Sequence, residues 1–198
     1  HKLNCSLEGR EKLRALLAEG HGLILLTAHV GSWQLGMASL SRLDAPVSLL
    51  IHREEGDVDR HFFEHGNQAA PYRIIDPAGY LGGTLEMLQV LKAAEVLCIM
   101  GDRVMGGDGS NVSEDFLGGA ISVPFSPYKL ASATAAPIAV IFPYKSGHDS
   151  YALHVARVIR VPENLGRCPS AFLPFAQQYV QALEEFVQEH PFQFFNFF

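Results

Sequence analysis

The sequence predicts an α/β fold: a single domain with a mixed, mostly parallel central sheet flanked by helices. Three observations predict it. Short apolar runs of strand length recur at 22–28, 46–52, 72–76, 96–102, 137–144 and 151–161. Longer stretches with apolar residues at helical spacing lie between most of them, an order that implies crossover connections and a sheet buried under helices. At 198 residues and 48% apolar composition the chain can bury one core but hardly two, so residues 1–198 form one domain.

The elements follow in order. "EGREKLRALLAEG" (8–20) spaces its leucines for a helix and stops on Gly20. "GLILLTA" (22–28) is a continuous apolar strand, and residues 33–43 are read as a helix with Ser32 as its N-cap. "PVSLLIH" (46–52) and "YRIID" (72–76) are strands around a helix at 57–66. "GYLGGTLEMLQVLKAAE" (79–95) is an amphipathic helix leading into "VLCIMGD" (96–102), a second buried strand. Residues 103–115, "RVMGGDGSNVSED", are read as a long glycine-rich loop, of a length usually reserved for function. A helix at 127–136, strands at 137–144 and 151–161 and a final helix at 170–189 complete the chain.

Composition removes several function classes. A formal charge of −6 lacks the basic footprint that nucleic-acid phosphates require, so no nucleic-acid partner is expected. Cys5, Cys98 and Cys168 are widely spaced, which argues against a disulfide framework or thiolate metal site and for a reducing compartment. The longest apolar runs fall far short of the roughly 20 residues of a membrane-spanning helix. The chain starts at His1, which leaves a preceding anchor or targeting segment open. G-x-S-x-G, G-x-G-x-x-G and G-x4-G-K-[ST] are all missing, against hydrolase and nucleotide-binding readings.

In open parallel sheets, chemistry gathers at strand C-terminal ends. His29 and the pair Asp102–Arg103 lie just past two such ends. A neutral imidazole at His29 can take a proton from a hydroxyl if its other nitrogen is oriented, and Gln34 is placed in the first helical turn to orient it. Backbone N–H groups near Gly31, Ser32 and Trp33 are candidates to hold an oxyanion or phosphate. The guanidinium of Arg103 suits a phosphate or carboxylate, with Asp102 steadying it. The bland alternatives are a structural histidine and a structural Asp–Arg pair.

"AHVGSWQL" resembles the histidine block, H-x4-D/E, of the lysophospholipid acyltransferase superfamily, in particular the branch of the lipid A acyltransferases and their predicted relatives. Further blocks follow in order: "MGDR" (100–103), "FLGGAISVPFSPYKLA" (116–131), "APIAVIFPY" (136–144) and the aromatic "HPFQFFNFF" (190–198). The resemblance covers residue 22 to the end. It implies a glycerolipid acyltransferase-like fold and transfer of a fatty acyl group from an acyl carrier protein (acyl-ACP) or acyl-CoA thioester to a lipid or glycolipid hydroxyl. It further implies His29 as general base, no cofactor or metal, and Phe116, Gly118 and Ser126 of the third block among the substrate-binding residues. A bacterial, cytoplasmic location at the inner membrane face is the matching expectation, with peripheral membrane contact. The tail "PFQFFNFF" is expected to pack beneath the sheet or along an acyl groove.

Two departures stand out. Gln34 replaces the block's acid; an amide can orient an imidazole but brings no charge to offset an imidazolium. An enzyme using a different acid, a slowed or inactive descendant, and a deliberate Glu-to-Gln change all fit this. Ser126 stands where relatives tend to carry glycine, pointing to an altered acceptor pocket. Two other classes compete: a catalytically inactive acyl- or carrier-protein-binding module, and a zinc hydrolase using His61, Glu64 and His65 of "HFFEH", the inverted zinc-protease motif.

Overall fold

The computed structural model describes residues 4–33, 36, 40–52, 72–104 and 111–196. Strands β1 (Asn4–Leu7), β2 (Leu23–Thr27), β3 (Val47–Leu50), β4 (Arg73–Ile75), β5 (Val96–Met100), β8 (Ile138–Lys145) and β9 (Ser150–Ile159) form a seven-stranded sheet in the order β1-β9-β8-β2-β5-β3-β4. β8, β2, β5, β3 and β4 run parallel, while β9 returns antiparallel to β8 and β1 follows β9. The mixed, mostly parallel α/β sheet of a single domain is therefore what the molecule adopts.

The central strands are apolar because they are covered on both faces. Side chains alternate across a strand, so Leu23 and Leu25 of β2 join Val96 and Cys98 of β5 on one face, packed with Leu13 and Leu16 of helix α1 (Arg10–Leu17). Ile24 and Leu26 join Leu97 and Ile99 on the other. That second face is covered by α2 (Thr84–Lys92), α3 (Ser126–Thr134) and α4 (Leu173–Glu189). Pro127 and Pro174 lie in the first turns of α3 and α4, where a missing N–H costs no helical bond.

The structure departs from the sequence reading in three places. β1 was not anticipated: "NCSL" is too short and polar to carry a periodic signal, and it is a strand only by pairing with β9 at the sheet edge. Part of the expected 103–115 loop is β6 (Asn111–Phe116), which pairs with β7 (Gly119–Pro124) as a separate antiparallel ribbon. Its turn puts Leu117 and Gly118 at φ 51° and 79°, and the Leu117 N–H donates to Glu184 of α4 at 3.1 Å. The ribbon is held by its own hairpin pairing and by packing on α4, and only the second is distant in sequence. The helix expected at 33–43 is visible in part: Gly36 N–H donates to Ser32 O at 3.0 Å, consistent with Ser32 as N-cap, and a 3₁₀ turn covers Leu40–Leu43. The helix expected at 57–66 lies outside the described residues.

No helix among the described residues is long and apolar enough to cross a membrane. Phe142 of β8 is wholly buried, with its ring 5.0 Å from Phe186 and 6.5 Å from Tyr179, both on α4. Phe142→Ala should cost about 3–5 kcal/mol, read as a lower urea midpoint with an unchanged m-value.

Candidate active site

The register of the two central strands builds the site. Leu23 pairs with Val96 and Thr27 with Met100, so residues the same distance beyond each strand end stand side by side. Parallel neighbours lie about 4.8 Å apart, and two residues past the last pair come His29 and Asp102. Beyond the paired strands the chains stay tied for one more step, by Gly101 N–H to Thr27 O at 2.8 Å. At Gly101 a Cβ would meet Leu26 at 2.8 Å and the Tyr179 ring at 3.0 Å, so glycine lets β5 pass this close. Val30 N–H then donates to Ala28 O at 2.8 Å, a γ-turn centred on His29 that lifts the imidazole off the sheet.

Asp102 is 2% exposed, and its carboxylate lies against His29. The His29 backbone N–H donates to Oδ2 at 3.0 Å, and Nδ1 stands 2.9 Å from Oδ1 and 3.1 Å from Oδ2. An ionised carboxylate only accepts, so Nδ1 carries the hydrogen and Nε2 the lone pair. The His29 side chain keeps 24% of its surface exposed, whereas that of Asp102 keeps none. This is an imidazole with one nitrogen fixed from beneath and the ring still open to a reactant. Below it, the buried Tyr179 hydroxyl donates to Thr27 O at 3.0 Å. Burial first, and the charge of Asp102 second, hold that hydroxyl well above the usual phenol range, so it stays a donor.

The sequence reading gave position 34 the orienting role and gave Asp102 the task of steadying Arg103. The acid found on the imidazole is Asp102. Gln34 lies outside the described residues, as do His61, Glu64 and His65 of the zinc motif. Among the described residues no cluster of His, Cys, Asp or Glu could hold a metal ion. A signal for the true pairing was present: "LILLTAH" and "VLCIMGD" each place their polar residue six positions after the first strand residue.

The other expected residues divide into two groups. Gly31 and Arg103 sit at the pair: Gly31 follows the γ-turn, and Arg103 Nη2 reaches Phe195 O at 3.4 Å. Gly31 has φ 52°, and a Cβ there would come within 2.0 Å of Pro143 O. Its N–H already donates to Gln193 O at 2.7 Å, so it is not the oxyanion donor expected of it. Phe116 is linked to this region through Phe194, ring centroids 5.6 Å apart, and Phe194 bridges Val30. Trp33 is half-buried and packs on the α1-side core. Gly118 is at the tip of the β6–β7 turn, where a Cβ would meet nothing within 4 Å. Ser126 opens α3 in a helical conformation that makes no demand for glycine. Cys98, on β5, offers no nucleophile, since burial pushes its thiol up to about 12.

A family model described as "Bacterial lipid A biosynthesis acyltransferase" matches residues 2–198, nearly the whole chain. The chain belongs to that family. Among curated proteins it is similar to the phosphatidylinositol mannoside acyltransferases of two strains of Mycobacterium tuberculosis, CDC 1551/Oshkosh and H37Rv, each 26% identical over 139 residues, 69% of this chain. The matched stretch makes up 43% of each relative, so the chain spans less than half the length of these proteins.

Gly31→Ala combines a left-handed backbone with a collision against the Pro143 carbonyl. It should lower stability by about 3 kcal/mol or more, read as a fall in Tm.

Proposed function

We propose that this chain is an O-acyltransferase that moves a fatty acyl group from an acyl-ACP or acyl-CoA thioester to a hydroxyl of a lipid or glycolipid. One observation carries the reading: His29 has Nδ1 held by the buried carboxylate of Asp102 while its ring stays open. Family membership supplies the reaction class.

In the proposed mechanism, Nε2 of His29 removes the acceptor's hydroxyl proton as the oxygen attacks the thioester carbonyl carbon. The C–O bond forms and the carbonyl becomes a tetrahedral oxyanion. Collapse reforms the carbonyl, breaks the C–S bond and expels the thiolate, which takes the proton back from the imidazolium. Asp102 fixes the tautomer and offsets the imidazolium charge. Arg103, half-buried beside this pair, is the proposed contact for an anionic part of donor or acceptor. Neither a metal nor a covalent enzyme intermediate is needed.

Gln34 then ceases to be a defect, because the charge expected at that position is supplied from the neighbouring strand. The reading as an inactive binding module loses its main support, which was this amide. Membrane contact also fits: Phe192 and Phe195, 93% and 44% exposed, lie just before and within the segment that pairs with the His29 loop. We place the reaction at the cytoplasmic face of a bacterial membrane, where a lipid acceptor would be presented.

Incubation with an acyl thioester and a lipid hydroxyl acceptor should release free thiol in an acceptor-dependent manner. His29→Ala should abolish release with the fold retained by circular dichroism; undiminished release would overturn the assignment. Asp102→Asn should lower kcat by roughly 10⁴, as the same change does in a serine-protease triad. Gln34→Glu should change kcat by less than about tenfold, under ~1.4 kcal/mol of barrier. A gain of several orders of magnitude would return the orienting role to position 34.

A further inference from the structure

We propose that the segment Gln193–Asn196 is a positioning strap for the His29–Asp102 pair, with Asn196 the residue through which it acts on Asp102. This rests on the acyltransfer reading for its kinetic consequences, though not for its geometry.

The segment crosses the C-terminal ends of three adjacent strands, β8, β2 and β5. At β8 the Gln193 side chain closes a two-way bond with Lys145: the Lys145 N–H donates to Oε1 at 2.7 Å and Nε2 donates to Lys145 O at 3.3 Å. At β2 the strap runs antiparallel to the His29 loop. Gly31 N–H donates to Gln193 O at 2.7 Å, Phe195 N–H donates to His29 O at 2.9 Å, and Val30 faces Phe194 between them. At β5 the Asn196 amide donates from Nδ2 to Asp102 O at 2.7 Å. Consecutive residues thus grip the backbone carbonyls of the two members of the pair, Phe195 on His29 and Asn196 on Asp102.

Such a brace has a definite job. The Gly101–Thr27 bond lies before the pair; past it the two loops leave the sheet. Without the strap, only the contacts of the Asp102 carboxylate with the His29 ring and backbone N–H would join them, and their separation would be set by the groups whose geometry matters most. The strap adds rungs beyond the sheet and fixes that separation independently. Misplacement by about 1 Å can cost on the order of 10² in rate.

The Asn196 amide has a further feature. Its Oδ1 is buried and has no hydrogen-bond partner among the described residues, an arrangement that costs stability. A side chain kept at that cost is held for what its Nδ2 does, and reversing the amide would set oxygen against the Asp102 carbonyl.

The test uses the full chain and three variants. Asn196→Ala removes the donor, Asn196→Asp removes it almost isosterically, and Asn196→His restores an N–H of similar reach. We expect the first two to lower kcat between about tenfold and a hundredfold, with KM changed by less than about twofold. The histidine variant should recover most of the loss. In an Asp102→Asn background, Asn196→Ala should cost less than about twofold, because residues acting as a unit are non-additive.

A proton NMR measurement reads the geometry without turnover. The carboxylate-bonded Nδ1–H of His29 should give a downfield resonance that disappears in Asp102→Ala. It should broaden or shift in Asn196→Ala and Asn196→Asp and return in Asn196→His, while core amide signals stay in place. Losses that multiply in full with Asp102→Asn, or a Tm drop with kcat and the resonance unchanged, would overturn the proposal. If the wild-type chain transfers no acyl group, the acyltransfer reading fails by itself and the resonance alone decides the strap.

Discussion

A carboxylate taken out of water must find its hydrogen bonds within reach, and Asp102 finds them on His29. Burial of an unpaired charge costs several kcal/mol, so the residue is tolerable here only because a backbone N–H and a ring N–H converge on it. The dependence runs both ways. The imidazole takes its tautomer from the acid, and the acid takes its solvation from the imidazole and the amide beneath it. Around this pair the local structure follows: glycine at 101 to let β5 approach, the γ-turn at His29, glycine at 31 under the Pro143 carbonyl, and Tyr179 closing the floor.

The sheet supplies the rigidity for this arrangement. β2 and β5 are its central parallel pair, buried on both faces, and the apolar layers from α1 on one side and α2, α3 and α4 on the other hold their register. A slip of one residue between them would turn every side chain of one strand to the opposite face and separate the histidine from its acid at once. Packing and chemistry are therefore locked to the same register. Selection for one secures the other.

Most of the sheet was legible because its strands are long apolar runs between helical patterns, and a fully buried parallel strand can hardly look otherwise. β1 and the β6–β7 ribbon were not legible, since "NCSL" becomes a strand through a partner distant in sequence and "NVSEDF" is too polar to show a strand's apolar pattern, although its partner is the next segment of chain. The site divides in the same way. His29 could be read from its place at a strand tip. Its partner was missed, because a motif counted along one chain points to position 34, while the acid arrives from the next strand over. Which strand lies beside β2 is a property of topology, not of spacing. The Gln and Asn within the aromatic tail were overlooked for a similar reason: phenylalanines invite a reading as packing, and the polar residues between them carry the bonds.

 The contacts that finish the site join residues far apart in sequence, Phe195 to His29 across 166 positions and Asn196 to Asp102 across 94. Long separations of this kind close late in folding, after the loops between them have been ordered. The pairing of β2 with β5 can therefore form while the brace across their tips is still unmade. The contacts that set the His29–Asp102 pair are thereby among the last to close, and the core can be assembled before the pair is fixed.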